Sequence, residues 1–185
     1  MYECADYQQL DEDKVKCQVC SHFCTISPGQ VGICGIRQNQ NGKFYLLTYG
    51  KTTGVQVDPI EKKPLYHFLP NSQVLSFGTY GCNFCCKNCL NWRASQIYNL
   101  KGKVEEYDQF NWGQKWPPEE LVEKALETNC QSIAYTYNEP TVFLEYALDT
   151  MKLAREKGLK NVWVSNGFMS EQTLETIIPY LDAIN

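Results

Sequence analysis

The sequence predicts an α/β chain, with a parallel sheet from residue 73 onward and a small cysteine-rich β module before it. Three observations carry this expectation. Beyond Gln73, short β-rich runs alternate with amphipathic helical stretches, the pattern of parallel strands joined by right-handed crossovers. Cys17, Cys20, Cys24 and Cys34 crowd into one short stretch of the first fifty residues, with Gly29, Gly32 and Gly35 beside them. A second group, Cys82, Cys86 and Cys89, directly follows the first of the expected parallel strands. The organisation read from this is a cysteine-rich metal-binding module over 1–50, a bridging segment over 51–72 and an α/β core over 73–185.

Composition narrows the class. The 185 residues have the length of one domain, or of one domain with a small appendage. A hydrophobic fraction of 43%, with 12 tyrosines and 8 phenylalanines, is enough to build a core. The net charge of −4 argues against a nucleic-acid surface, which would be basic. The N-terminal run MYECADYQQLDEDK is too polar and acidic for a signal peptide, and no apolar run approaches the ~20 residues a membrane span needs. A cytoplasmic chain without nucleic-acid or membrane partners is therefore expected. In a reducing compartment, its ten cysteines point to metal or redox chemistry rather than disulfides.

In the first module the thiols follow C-x2-C-x3-C-x9-C, and the glycines permit the φ > 0 turns that bring backbone close to sulfur. A closed Cys4 zinc site is the preferred reading, because it would stabilise a segment too small for its own core. A second iron–sulfur cluster is the rival, since thiolates suit both metals. His22 reads as a surface residue beside this knot, and Arg37 as locally hydrogen-bonded or solvated. Asn41-Gly42 signals a type I′ hairpin, with Phe44 to Tyr49 as the strand leaving it and a partner strand ending near Arg37.

Three prolines, Pro59, Pro64 and Pro70, exclude a long helix from the bridge. A short strand at Val55–Val57 and a charged loop are expected there. Glu61, Lys62, Lys63 and His67 are candidates for a pocket mouth, although a histidine between aromatic neighbours is more often simply packed.

Strands are expected at Val74–Thr79, Ser132–Tyr137 and Asn161–Ser165, with Asp182–Asn185 entering another. Pro117-Pro118 opens a helix that should bury Leu121, Val122, Ala125 and Leu126. A second should run from Thr141 to a stop at Gly158, with Leu144, Ala147, Leu148 and Met151 inward. Ser170 caps a third, whose Leu174, Ile177, Ile178 and Leu181 should face the sheet. Between Ile97 and Trp116 lies a long polar and aromatic connection with Tyr98, Tyr107, Phe110 and Trp112, either a functional loop or a surface insertion. The cysteine loop after the first strand, Glu139 and Asn166 all fall at C-terminal strand ends, where such sheets collect their chemistry.

Cys82, Cys86 and Cys89 are too close to pair off cleanly as disulfides, but they can hold three corners of a 4Fe–4S cube. The fourth iron would keep an open position unless Cys85 or a distant cysteine filled it. A zinc knot or a set of buried free thiols is the alternative.

This C-x3-C-x2-C spacing, after Val74-Leu75-Ser76-Phe77 and the Gly81 turn, resembles the radical S-adenosylmethionine (SAM) enzymes. The blocks CQVCSHFC, GQVGICGIRQN, VDPIEKKPLYHFLP and TYNEPT are further similar to the radical enzyme of the AmmeMemoRadiSam system, a relative of the pyruvate formate-lyase activating enzymes. The resemblance implies a partial (β/α)6 TIM-like barrel, about half present, and reductive cleavage of SAM by a 4Fe–4S cluster on Cys82, Cys86 and Cys89. It implies that Glu139, with Asn138 nearby, receives the SAM amino group, and that Ser165 and Asn166 contact ribose. It also implies an electron donor such as flavodoxin or ferredoxin, and a protein substrate or AmmeMemo partner proteins. Two departures stand out: Asn88 occupies a usually aromatic position before the third cysteine, and Cys85 adds a thiol. A glycyl-radical-enzyme activase and a non-catalytic iron–sulfur or zinc protein are the other readings. Three strand–helix units and a fragment are present where the resemblance implies six, so a longer parent protein is expected.

Overall fold

A computed structural model describes residues 1–97 and 111–185. In the first fifty residues, β1 (Tyr2–Glu3), β2 (Tyr7–Gln9), β3 (Val15–Cys17), β4 (Thr25–Ile26), β5 (Arg37–Gln40) and β6 (Lys43–Leu46) form two small antiparallel sheets. Their orders are β1-β6-β5 and β2-β3-β4. The hairpin between β5 and β6 turns on Asn41 and Gly42, with φ of 52° and 84°, as a type I′ turn requires. Arg37 begins the partner strand rather than ending it, and β6 stops at Leu46, short of the expected Tyr49.

Among the described residues the main sheet has five strands. β7 (Lys51–Thr52) lies outside it, paired with β10 (Gln114–Lys115). The sheet itself comprises β8 (Gly54–Pro59), β9 (Gln73–Gly78), β11 (Ser132–Tyr135), β12 (Lys160–Trp163) and β13 (Ala183–Ile184). Its order is β13-β12-β11-β9-β8. Strands β9, β11, β12 and β13 run parallel, whereas β8 pairs antiparallel with β9 through six residues, from Gly54↔Gly78 to Pro59↔Gln73. The bridge therefore supplies a sheet strand. Among the described residues the sheet is open.

Both of its faces are apolar, as crossover connections demand. Leu75, Phe77, Ile133, Tyr135 and Trp163 point into the larger core, which α2 (Pro118–Glu127) and α3 (Leu144–Glu156) cover; a single turn, α1 (Trp92–Ser95), precedes them. Val74, Ala134 and Val162 alternate to the other face against Ile60. Pro118 opens α2 with Glu119 and Glu120 in the first turn, where the helix dipole favours acids. Pro140–Phe143 form a 3-10 turn before α3, so the α-helix starts three residues after the expected Thr141.

Several side chains depart from expectation. Leu126 on α2 is exposed, since the buried stripe closes with Ala125. Leu148 on α3 is only half-buried. On α4 (Glu171–Ile177), Ile177 is buried while Leu174 and Ile178 are exposed. The reason is that α4 docks through its cap: Ser170 and Thr173 hydroxyls donate to Val19 O at 3.2 and 2.8 Å. Arg37 is neither solvated nor locally bonded. It is 1% exposed, its guanidinium makes a two-pronged ion pair with Glu145 on α3, and its Nε donates to Val142 O at 2.9 Å. Trp112 is buried, while Tyr98, Tyr107 and Phe110 lie outside the described residues. Among the described residues no helix is long and apolar enough to cross a membrane.

Candidate active site

The cysteine loop leaves the C-terminal end of β9 through a turn held from below. Asn138, just past β11, accepts from Thr79 N–H at 3.0 Å and donates to Gly81 O at 2.6 Å and Thr79 Oγ1 at 3.1 Å. Its side chain is thus spent on the loop entrance. Gly81 has φ of 89°, and a Cβ there would stand 2.5 Å from Cys34 O and 2.6 Å from Ile36 Cγ2. Only glycine lets the loop sit this closely on the N-terminal module. Inside the loop, the Phe84 N–H points to Cys82 Sγ at 3.5 Å, Cys89 N–H donates to Cys86 O at 3.2 Å, and Gln96 Nε2 donates to Cys86 O at 2.9 Å. Asn91 Nδ2 ties the far end to Tyr137 O at 2.7 Å.

Cys82, Cys86 and Cys89 face one open cleft together with Glu139, Ser165 and Asn166. Its volume, about 590 Å³, lies in the range of small-molecule sites. Cys85 is exposed and does not line it. Burial pushes the Cys82 thiol up to about 11, with the Glu139 charge adding to it; backbone N–H groups of Phe84 and Glu139 oppose the shift by favouring the thiolate.

Glu139 is 3% exposed and well supplied with donors. Its carboxylate accepts from Thr141 N–H at 3.0 Å, Thr141 Oγ1 at 2.6 Å, Ser165 Oγ at 2.9 Å and Asn166 N–H at 2.7 Å. These bonds join the ends of β11 and β12, and they preset the carboxylate at the cleft wall. Asn166 Nδ2 donates to Asn83 Oδ1 at 2.8 Å.

Asn83, not singled out in the sequence, is the link to the N-terminal module. It is 1% exposed, its carbonyl takes the His22 Nε2–H at 2.9 Å, and its side chain hydrogen-bonds toward Cys20, favouring that thiolate. A carbonyl can only accept, so that contact fixes the His22 proton on Nε2. The ring meets Phe168 edge-on at 4.8 Å, and His22 is exposed beside the N-terminal cysteines as the sequence suggests. The signal for Asn83 was its place inside the cysteine loop. His67 is exposed and does not line the cleft, and Glu61 accepts from Asn71 N–H; Lys62 and Lys63 do line it.

Cys17, Cys20, Cys24 and Cys34 border one small pocket with Gly32 and Arg37. Burial pushes Cys17 up to about 11 and Cys34 up to about 12, against the opposing pull of Arg37. Among the described residues, no three His, Cys, Asp or Glu side chains converge closely enough to hold an ion as they stand. A closed tetrahedral zinc site therefore gains no support from this geometry. The Cys82–Cys89 loop answers a different requirement, since a 4Fe–4S cube takes each thiolate on a separate iron rather than at one point. Three soft donors on one cleft wall, with backbone N–H groups aimed at Cys82 Sγ, fit that group.

A thiol trio at the C-terminal rim of a parallel sheet, facing a preset carboxylate, defines a protein built to hold a thiolate-bound cofactor. The chain belongs to the radical SAM superfamily, whose family profile matches residues 77–185. It is 42% identical, over all 185 of its residues, to an uncharacterized protein of Methanocaldococcus jannaschii. It spans about half of that relative, 52% of its length. No solved structure matches the chain.

Proposed function

We propose that this chain carries the cofactor cleft of a radical SAM enzyme of the kind found in the AmmeMemoRadiSam system. The observation that supports the reading is the shared cleft of Cys82, Cys86, Cys89 and Glu139. The three thiolates hold a 4Fe–4S cluster, and Glu139 binds the SAM ammonium by charge-assisted hydrogen bonds. When bound, the cluster and SAM together supply a one-electron reductive cleavage to methionine and a 5′-deoxyadenosyl radical, which takes hydrogen from a substrate. Ser165 and Asn166, which bond to Glu139 and line the same cleft, contact the ribose. Asn138 serves as a positioning residue for the loop. Cys17, Cys20, Cys24 and Cys34 form a second metal site, zinc or iron–sulfur. A flavodoxin or ferredoxin supplies the electron, in the cytoplasm.

The test is anaerobic reconstitution with iron and sulfide, then dithionite reduction with SAM and an assay for 5′-deoxyadenosine. Cluster formation with product supports the enzyme. A cluster that yields no 5′-deoxyadenosine refutes it.

A further inference from the structure

The cleft also has a cationic wall that the cofactor roles leave unused. Lys62 and Lys63 both line it. Lys63 is 3% exposed, and its Nζ donates to Asp58 Oδ2 at 2.9 Å while lying 5.2 Å from the Tyr137 ring centroid. The more exposed Lys62 donates to Asp58 Oδ1 at 2.6 Å. Asp58 is itself buried and also accepts from Tyr137 OH at 3.3 Å. Two ammonium groups against one carboxylate leave one positive charge in excess.

A buried lysine bonded to one carboxylate still has N–H groups to satisfy, and burial makes leaving them bare costly. Tyr137 shows the same site from another side. It holds φ of 70°, a left-handed conformation uncommon for an aromatic residue, and strain of this kind clusters where ligands bind. Its carbonyl accepts from Asn91 of the cysteine loop, and its ring lies beside the Lys63 ammonium.

We infer that Lys62 and Lys63, steered by Asp58 and Tyr137, form an anion subsite in this cleft for a carboxylate or phosphate group. The subsite rests on the reading of the cleft as the cofactor site. Its ligand is either the carboxylate of SAM itself or an acidic group on the substrate. Asp58 tunes the subsite by cancelling part of the ammonium charge.

The cluster-loaded protein is titrated with SAM, with decarboxylated SAM and with inorganic phosphate, the last followed by phosphorus NMR. Lys62→Gln and Lys63→Met should each weaken an anionic probe at least tenfold, whereas Asp58→Asn should tighten it. Opposite signs separate a charge role from mere damage to the fold. If Lys63→Met does not fold, exposed Lys62 carries the test. Loss of SAM affinity with decarboxylated SAM unaffected assigns the subsite to the cofactor; loss of phosphate affinity alone assigns it to the substrate. If the lysine variants leave both SAM and phosphate unchanged, or if Asp58→Asn weakens them, the inference is overturned. Unsubstituted, cluster-loaded protein that binds phosphate but never SAM would refute the cofactor reading and leave the subsite standing.

Discussion

Replacing Glu139 by glutamine tests the site where structure and chemistry meet most closely. A carboxylate has about four acceptor positions, and Glu139 fills them from Thr141 N–H, Thr141 Oγ1, Ser165 Oγ and Asn166 N–H. The hydroxyls can rotate away. The two backbone N–H groups cannot, and they approach different carboxylate oxygens. A glutamine therefore turns its amide NH2 toward one of them and strands it. A buried donor left unmatched costs about 1–3 kcal/mol, and the surviving bonds lose their charge assistance. Glu139→Gln should lower unfolding stability by roughly 2–4 kcal/mol, measured by urea titration. An incoming ammonium would take over positions now held by the Thr141 or Ser165 hydroxyl. Loss of the charge should therefore also weaken SAM by about 1.5–3 kcal/mol, or roughly ten- to hundredfold in calorimetry. Unchanged SAM affinity beside lowered stability would make Glu139 a structural node only. A variant within ~0.5 kcal/mol of the parent on both measures would refute the hydrogen-bond accounting itself.

Four further outcomes are expected. Cys82→Ala, Cys86→Ala and Cys89→Ala should each abolish the iron–sulfur chromophore, while Cys85→Ala, exposed and off the cleft lining, should keep it. Cys20→Ser should remove a metal from the purified protein without erasing that chromophore; full metal retention would rule out the N-terminal site, and the lost element tells zinc from iron. Breaking the buried Arg37–Glu145 pair from one side, by Arg37→Met or Glu145→Gln, should cost about 3–5 kcal/mol in urea melts. Burial raises the Glu145 pKa, but the Arg37 charge and hydrogen bonds outweigh it and hold the carboxyl below its usual range. The contribution is therefore present above the unfolded value near ~4.3 and lost as pH falls through the folded one, so the parent should show an acid transition that Glu145→Gln lacks. Gly81→Ala should impair iron loading, because its Cβ would meet the Cys34 carbonyl at 2.5 Å in a left-handed backbone; normal loading would contradict that contact.

The alternation of β9, α2, β11, α3, β12 and β13 was legible because strands and helices write their periods into adjacent residues. Pro118 and the Ser170 cap were legible for the same local reason. What sequence could not show was decided across long separations. Arg37 reads as a surface charge until Glu145, on a helix 108 residues later, supplies its partner. The strand at Gly54–Pro59 was visible, but not its place as the antiparallel edge of the main sheet. Leu174 and Ile178 carry helical spacing, yet α4 is anchored by Ser170 and Thr173 to Val19 O, and that anchoring turns them outward. In the cleft, the cysteines and Glu139 stood out by type and position. Asn138, named through the TYNEPT resemblance, lines the cleft while its hydrogen bonds run back to the loop entrance, and no local pattern reveals those bonds.

The N-terminal module cannot be treated as an appendage to the cleft. Gly81 rests on Cys34 and Ile36, His22 donates to Asn83 inside the cysteine loop, and Ser21 Oγ donates to Met169 O at 3.0 Å beyond the Ser165–Asn166 turn. Arg37 then locks the module to α3, the helix that follows Glu139. Two of these contacts meet the loop after β9, one the segment after β11 and one the segment after β12, so the module braces the rim from below the cysteine loop to the start of α4. Geometry at a reacting centre tolerates displacements well under 1 Å, and a short loop whose Cys85 and Cys86 are exposed supplies little rigidity of its own. The thiol-rich module provides it, and this physical reason links two cysteine groups that the sequence separates by nearly fifty residues.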